Sequence, residues 1–189
     1  HQGISATAVM NIAVFDMVWG ASGVAGNTTS TQNVVGFPAL TRPDVNGTDL
    51  ELFLYCRVAA GSTASTPTVS YTNSAGTAGR SAGLMHSAST TLLASPGALL
   101  PFRRQTGDRG VKSVESITFS AAQAAAGDLC LLLGKRVMHL TALPTGRRRL
   151  QDFLRTALAP VNPSAALVVV GMPAAGNFAQ SGELELAHG

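Results

Sequence analysis

Apolar and polar residues alternate with a period of two through much of the chain, and that pattern predicts strands. The clearest run is Leu50 to Val58, where Leu50, Leu52, Leu54, Cys56 and Val58 share one face and Glu51, Phe53, Tyr55 and Arg57 the other. A second covers residues 68–73, with Val69, Tyr71 and Asn73 opposed to Ser70 and Thr72. A third covers residues 111–119, where Glu115, Ile117 and Phe119 alternate with Val114, Ser116 and Thr118. Leu129 to Leu133 and Ala165 to Val170 are short continuous apolar runs, as expected of strands buried on both faces. Glu183-Leu184-Glu185-Leu186 reads as an edge strand whose glutamates discourage stray pairing. Residues 9–19 fit a strand or a short helix equally well.

Turn chemistry separates these runs. Thr41-Arg42-Pro43-Asp44, Asn46-Gly47 and Thr106 to Gly110 combine preset proline φ with residues that tolerate the left-handed region. After Asn73 the strand pattern dissolves into Gly76, Gly79 and Gly83, which predicts turns. Leu84 to Leu100 leaves strand and loop open, and Ala121 to Ala126 suggests a connector with a helical turn. One amphipathic helix is expected over 147–159, because Leu150, Phe153, Leu154, Ala157 and Leu158 recur at helical spacing before Pro160. Short strands at roughly ten- to fifteen-residue intervals, with Gly/Pro turns between them, predict a mainly all-β fold of β-sandwich or jelly-roll type. The expected organisation is an N-terminal arm or extended segment over 1–36 and a single β-sandwich domain over 37–189.

Composition sharpens this picture. A chain of 189 residues with 46% hydrophobic content can bury a core without staples. Charged residues make up only 12%, about half the usual share. Small neutral polar residues fill the gap, as suits a β protein packed against neighbours, although a genome bias toward Ala, Gly and Arg accounts for the same numbers. The net charge of +3 is unevenly spread. Residues 1–94 set Arg42, Arg57 and Arg80 against Asp16, Asp44, Asp49 and Glu51, whereas the second half carries the basic excess in short clusters. Direct nucleic-acid binding is not expected, since a longer basic stripe with interleaved aromatics is absent. The apolar stretch from Ala6 to Trp19 lacks a basic lead and contains Asp16, so neither a signal peptide nor a membrane span is expected. Cys56 and Cys130 sit in apolar strand-like runs and read as buried free thiols, without the spacing of a zinc site.

The sharpest catalytic motif is Gly79-Arg80-Ser81-Ala82-Gly83, which fits G-x-S-x-G, with Asp108 or Asp128 and His139 or His188 following in order. A small serine hydrolase is therefore an alternative, but the expected nucleophile helix does not follow Ser81, and no βαβ alternation supports the elbow. His86 and His139 have no ligand partner at suitable spacing. Gly134-Lys135-Arg136 hints at a phosphate loop but lacks its glycine and its Ser/Thr. Asp44, Asp49 and Glu51 suit a hard cation or, equally, a turn and a strand end. No catalytic, cofactor or metal set is assigned, and the chain is not read as an enzyme. Arg147, Arg148 and Arg149 open the expected helix, where positive charge opposes the dipole; this marks them as a possible interface with an acidic neighbouring chain, in a trimer for instance.

Several segments in order carry a resemblance: F-D-M-V-W-G-A-S-G, A-L-T-R-P-D-V-N-G, L-E-L-F-L-Y, V-S-Y-T-N-S-A-G-T-A-G-R, Q-T-G-D-R-G-V-K-S-V-E-S-I-T-F-S, L-C-L-L-L-G-K-R and S-G-E-L-E-L. Together they resemble virion structural proteins of tailed bacteriophages, over most of residues 12–186. G-K-R-V-M-H after the L-C-L-L-L run and the arginine triplet depart from the usual pattern. The resemblance implies a non-enzymatic component of the virion, a β-sandwich assembled as a homo-oligomer, with no cofactor. Its partners would be copies of itself, in a trimer, and a major capsid or tail protein. A capsid decoration or cement protein is the first expectation; a tail, collar or fibre-base component is the second. A carbohydrate-binding β-sandwich is a more distant alternative, because Trp19, Tyr55 and Tyr71 are few for an aromatic platform.

Overall fold

The computed structural model describes residues 10–85, 92–141 and 164–173. Among them are nine strands: β1 (Met10–Val24), β2 (Gln32–Asn33), β3 (Leu50–Val58), β4 (Pro67–Asn73), β5 (Arg80–Leu84), β6 (Leu99–Arg103), β7 (Val111–Phe119), β8 (Asp128–Thr141) and β9 (Leu167–Pro173). The only helical element among the described residues is a 3-10 turn, Leu92–Ala94. The mainly all-β class read from the alternation is therefore the class of the fold. The expected helix over 147–159 and the Glu183–Leu186 strand lie outside the described residues.

The chain divides into two compact units, Met17–Lys135 and a second made by the segments before and after it. In the larger unit the hydrogen-bonded order is β2-β7-β4-β5-β6-β3-β8-β1. Strand β6 belongs to two ladders: Leu99, Leu100 and Pro101 pair with β3, while Phe102 and Arg103 pair with β5. Inward positions of both ladders feed one core, including Leu50, Leu52 and Leu54 of β3, Leu131 of β8, Val69 of β4 and Ile117 of β7. Each leucine there has essentially no exposure, and full burial of such a side chain contributes roughly 1.5–3 kcal/mol.

Strand β3 follows its alternation as far as Cys56. Its register with β8 then slips, because Cys56 faces Leu129 while Val58 faces Asp128. The slip carries Val58 off the apolar face, and it is 54% exposed, contrary to the simple alternation. Strand β7 is also corrected. Ser70 faces Ser116 and Tyr71 faces Val114, so Glu115 is the extra residue of a bulge. Val111, Val114, Ile117 and Phe119 are the buried positions as a result. The glycine-rich run after Asn73 turns only as far as Gly79; from Arg80 it is strand β5. Ala121–Ala126 makes no helical turn. Its main chain bonds outward instead, with Gln123 N–H to Gly26 O (2.9 Å) and Ala125 N–H to Ala60 O (2.8 Å).

The turn after Pro43 is held by close backbone approach. Gly47, at φ 65°, lends its carbonyl to the N–H groups of Leu50 (3.2 Å) and Val111 (3.1 Å). A Cβ on Gly47 would lie 2.0 Å from the Val111 carbonyl oxygen, so no other residue fits.

In the smaller unit β1 and β9 pair antiparallel from Met10 opposite Pro173 to Asp16 opposite Leu167. The Asp16 carboxylate accepts the Ala166 N–H (3.1 Å), and the Arg136 guanidinium lies 5.8 Å from the centroid of Phe15. Residues 10–24, placed in the N-terminal segment by the sequence reading, are thus a long strand.

Candidate functional site

The most elaborate polar constellation gathers on Asp108, whose side chain is only 3% exposed. Strand β4 alternates, so Tyr71 and Asn73 point inward together, and β5 begins with Arg80 directly across the ladder from Tyr71. All three converge on the carboxylate. Tyr71 Oη donates to Oδ2 (2.5 Å), Asn73 Nδ2 to Oδ1 (2.7 Å), and Arg80 forks onto both oxygens through Nε (3.0 Å) and Nη2 (3.1 Å). Tyr71 Oη also accepts the Gln105 N–H (3.0 Å), and Asn73 Oδ1 accepts the N–H groups of Ala75 and Thr77.

The electrostatics follow from this geometry. Burial disfavours the Asp108 charge, yet donation from Arg80, Tyr71 and Asn73 outweighs it and holds the carboxyl at about 2. Burial, then the bond to Asp108, push the Tyr71 phenol up; the bond to Asp108 raises Arg80 further. Four donors occupy this carboxylate, so it is a structural knot that ties the β4–β5 turn to the segment before β7.

The sequence-derived candidates are placed as follows. Ser81 is exposed on β5, opposite Ser70, and the neighbouring Arg80 is committed to Asp108. Asp128 pairs with Arg57 at the surface, and His139 is exposed on β8. Neither carboxylate is brought to the serine by any of these contacts, while His86 and His188 lie outside the described residues. Gly134-Lys135-Arg136 is strand rather than loop, with Gly134 facing Glu51 and Lys135 facing Leu50. Asp44 is consumed by its own turn: its Oδ1 accepts Asn46 N–H (2.7 Å) and Thr48 N–H (3.3 Å). Burial opposes its charge, but these N–H groups and that of Gly47 leave its carboxyl below the ordinary value. Among the described residues no cluster of three His, Cys, Asp or Glu suits a metal ion. Cys56 and Cys130 are free and buried; burial first, then the neighbouring Cys130 for Cys56 and Asp128 for Cys130, push both thiols up. Arg147, Arg148 and Arg149 lie outside the described residues.

A second feature was not anticipated. Strand β2 pairs on one side with β7, Gln32 opposite Ile117 and Asn33 opposite Ser116. It stands at the end of the strand order. The carboxamide of Gln32 clasps both main-chain groups of Ala25, with Nε2 donating to the carbonyl and Oε1 accepting the N–H, each at 2.8 Å. From that clasp β1 and β2 diverge around a groove of about 170 Å³, lined by Ala21–Val24, Gln32–Val35 and Ile117. Trp19 and Phe37, with ring centroids 4.7 Å apart, pin the segment after β2 back to β1. Val35 at the rim is 90% exposed. No residue from Met17 through Thr41 is charged, so the edge is uncharged along its whole length.

No family model, curated protein or solved structure matches the chain.

Proposed function

We propose that the protein is a bacteriophage virion structural protein that works through contact with copies of itself and with a capsid or tail protein, rather than through catalysis. The observation that carries this reading is the uncharged strand β2, which ends the strand order among the described residues, beside the exposed Val35. Among the described residues β2 pairs only with β7, and a sheet edge without charged side chains suits contact with a neighbour. The ordered resemblance to virion proteins supports the same reading, as does the low charged content of 12%. The first role is capsid decoration or cement, with the chain as a trimer; the second is a tail, collar or fibre-base component.

Electron microscopy of intact particles carrying a tagged copy tests this. Density repeated over the shell at hundreds of copies supports decoration, a few dozen or fewer at one vertex support the tail, and no label on particles overturns the virion reading. Ester turnover lost in Ser81→Ala would restore the hydrolase alternative.

A further inference from the structure

We propose that Asn46-Gly47 is a latent modification site: the Asn46 side chain deamidates through its own main chain, and the folded turn before β3 holds that reaction closed. The pair is the only Asn-Gly step in the sequence. The reaction is intramolecular. The Gly47 main-chain nitrogen attacks Asn46 Cγ, the new C–N bond closes a five-membered imide, and the side-chain nitrogen leaves as ammonia with the proton that Gly47 gives up. Water then opens the ring at either carbonyl, which leaves aspartate or, with the chain rerouted through Cβ, isoaspartate. Glycine in second place is the least hindered nucleophile for this attack, because it has no Cβ to crowd the nitrogen.

Asn46 is exposed, so water and base reach its carboxamide. Its main chain is pinned. Asp44 gathers the turn, its Oδ1 accepting the N–H groups of Asn46 (2.7 Å) and Thr48 (3.3 Å) and its carbonyl that of Gly47 (3.3 Å). From the other side, Gly47 O is held by the N–H groups of Leu50 and Val111. Attack requires the Gly47 nitrogen to lose its proton and the peptide unit between Asn46 and Gly47 to swing toward Cγ. The first breaks the bond to Asp44. The second moves Gly47 where there is no space to spare, since a Cβ on it would lie 2.0 Å from the Val111 carbonyl oxygen, and one on Gly110 would lie 2.1 Å from Gly47 O.

The consequence runs one way. Either product sets a new carboxylate beside that of Asp44, and isoaspartate also lengthens the main chain by its Cβ carbon. A turn whose N–H groups all converge on Asp44 does not close over both changes, and the hold on Leu50 and Val111 goes with it. Local openings occur at their own free energy, below that of global unfolding. Each opening of this turn exposes the step to reaction and each product stays open, so Asn46 records how often the start of β3 comes undone. Asn73-Ser74 supplies the contrast: Asn73 is buried and its carboxamide is committed to Asp108, Ala75 and Thr77.

Peptide mapping by mass spectrometry after incubation at mildly alkaline pH tests it, with the full chain native in one arm and in guanidinium chloride in the other. Asn46 is expected to convert readily in denaturant and about tenfold or more slowly in the native protein. Asp44→Ala removes the Oδ1 acceptor of Asn46 and Thr48 and is expected to move the native rate toward the denatured one. Arg80→Ala loosens the Asp108 pair but leaves this turn intact, and is expected to keep the native rate. Circular dichroism checks that both variants are folded, and the wild-type arms decide the point without either. Converted wild-type chains returned to native buffer should melt below unconverted ones. No conversion in denaturant, equal rates in the two arms, a folded Asp44→Ala no faster than wild type, or equal acceleration in both variants overturns the inference. So does a melting temperature that conversion leaves unchanged.

Discussion

Arg80 and Asp108 meet as a two-pronged pair, Nε on Oδ2 at 3.0 Å and Nη2 on Oδ1 at 3.1 Å, with the carboxylate sealed from solvent by its own partners. The pair is unequal, because the arginine side chain is about a quarter exposed while the aspartate is buried. Asp108→Ala strands the donors of Tyr71, Asn73 and Arg80 together. It is expected to cost about 3 kcal/mol or more, whereas Arg80→Ala, whose site admits water, should cost about 1–2 kcal/mol. Urea midpoints of the two single variants and the double variant measure both costs and their coupling.

Acid sensitivity follows from the same carboxylate. Its folded value of about 2 lies below the ordinary 3.8, so the unfolded chain binds the proton more readily. Stability from Asp108 is therefore fully present above about pH 4 and disappears as pH falls through about 2, at most about 2.5 kcal/mol in all. Denaturation midpoints between pH 2 and 5 should rise with pH in the wild type and rise less steeply in Asp108→Asn.

At Gly47 sterics replace electrostatics. Gly47→Ala forces a methyl into the Val111 carbonyl and strains a positive φ, so the turn must open and release the bonds from Leu50 and Val111. A loss of about 3 kcal/mol or more is expected. Gly76→Ala, at φ 86° with nothing within 4 Å, meets only the backbone cost, about 1 kcal/mol. Melting temperatures of the two variants should separate clearly.

Thiol chemistry reads the core. Cys56 has no exposure and Cys130 very little, and burial raises both thiols. A colorimetric disulfide reagent at pH 8 is expected to react with neither in the folded protein and with both after denaturation. Rapid labelling of Cys56 in native buffer would mean that β3 opens.

Much of the fold was legible because local alternation reports directly on which face is buried. Leu50 through Cys56 and Val69 through Asn73 fall on the faces their spacing implies. The failures share a cause. Val58 and Glu115 depart from alternation where the partner strand shifts register, and a shift is a property of two strands that neither encodes alone. Gly134-Lys135-Arg136 hints at a phosphate loop in the sequence, but β8 runs through it, with Gly134 and Lys135 paired to β3. Tyr71 and Asn73 were correctly seen on one face. Their shared partner Asp108 was not, since it lies more than thirty residues away and only the fold brings it near. The β2 edge gave a faint signal at best, in the lack of charge between Asp16 and Arg42.

Strand β6 has a mechanical consequence. Because Leu99–Pro101 hold β3 while Phe102 and Arg103 hold β5, tension applied to either ladder is passed to the other through five residues. Neither flank of the core can peel away while its neighbour stays zipped. Amide protons on β3, β4 and β7 should thus exchange in a single concerted opening rather than strand by strand.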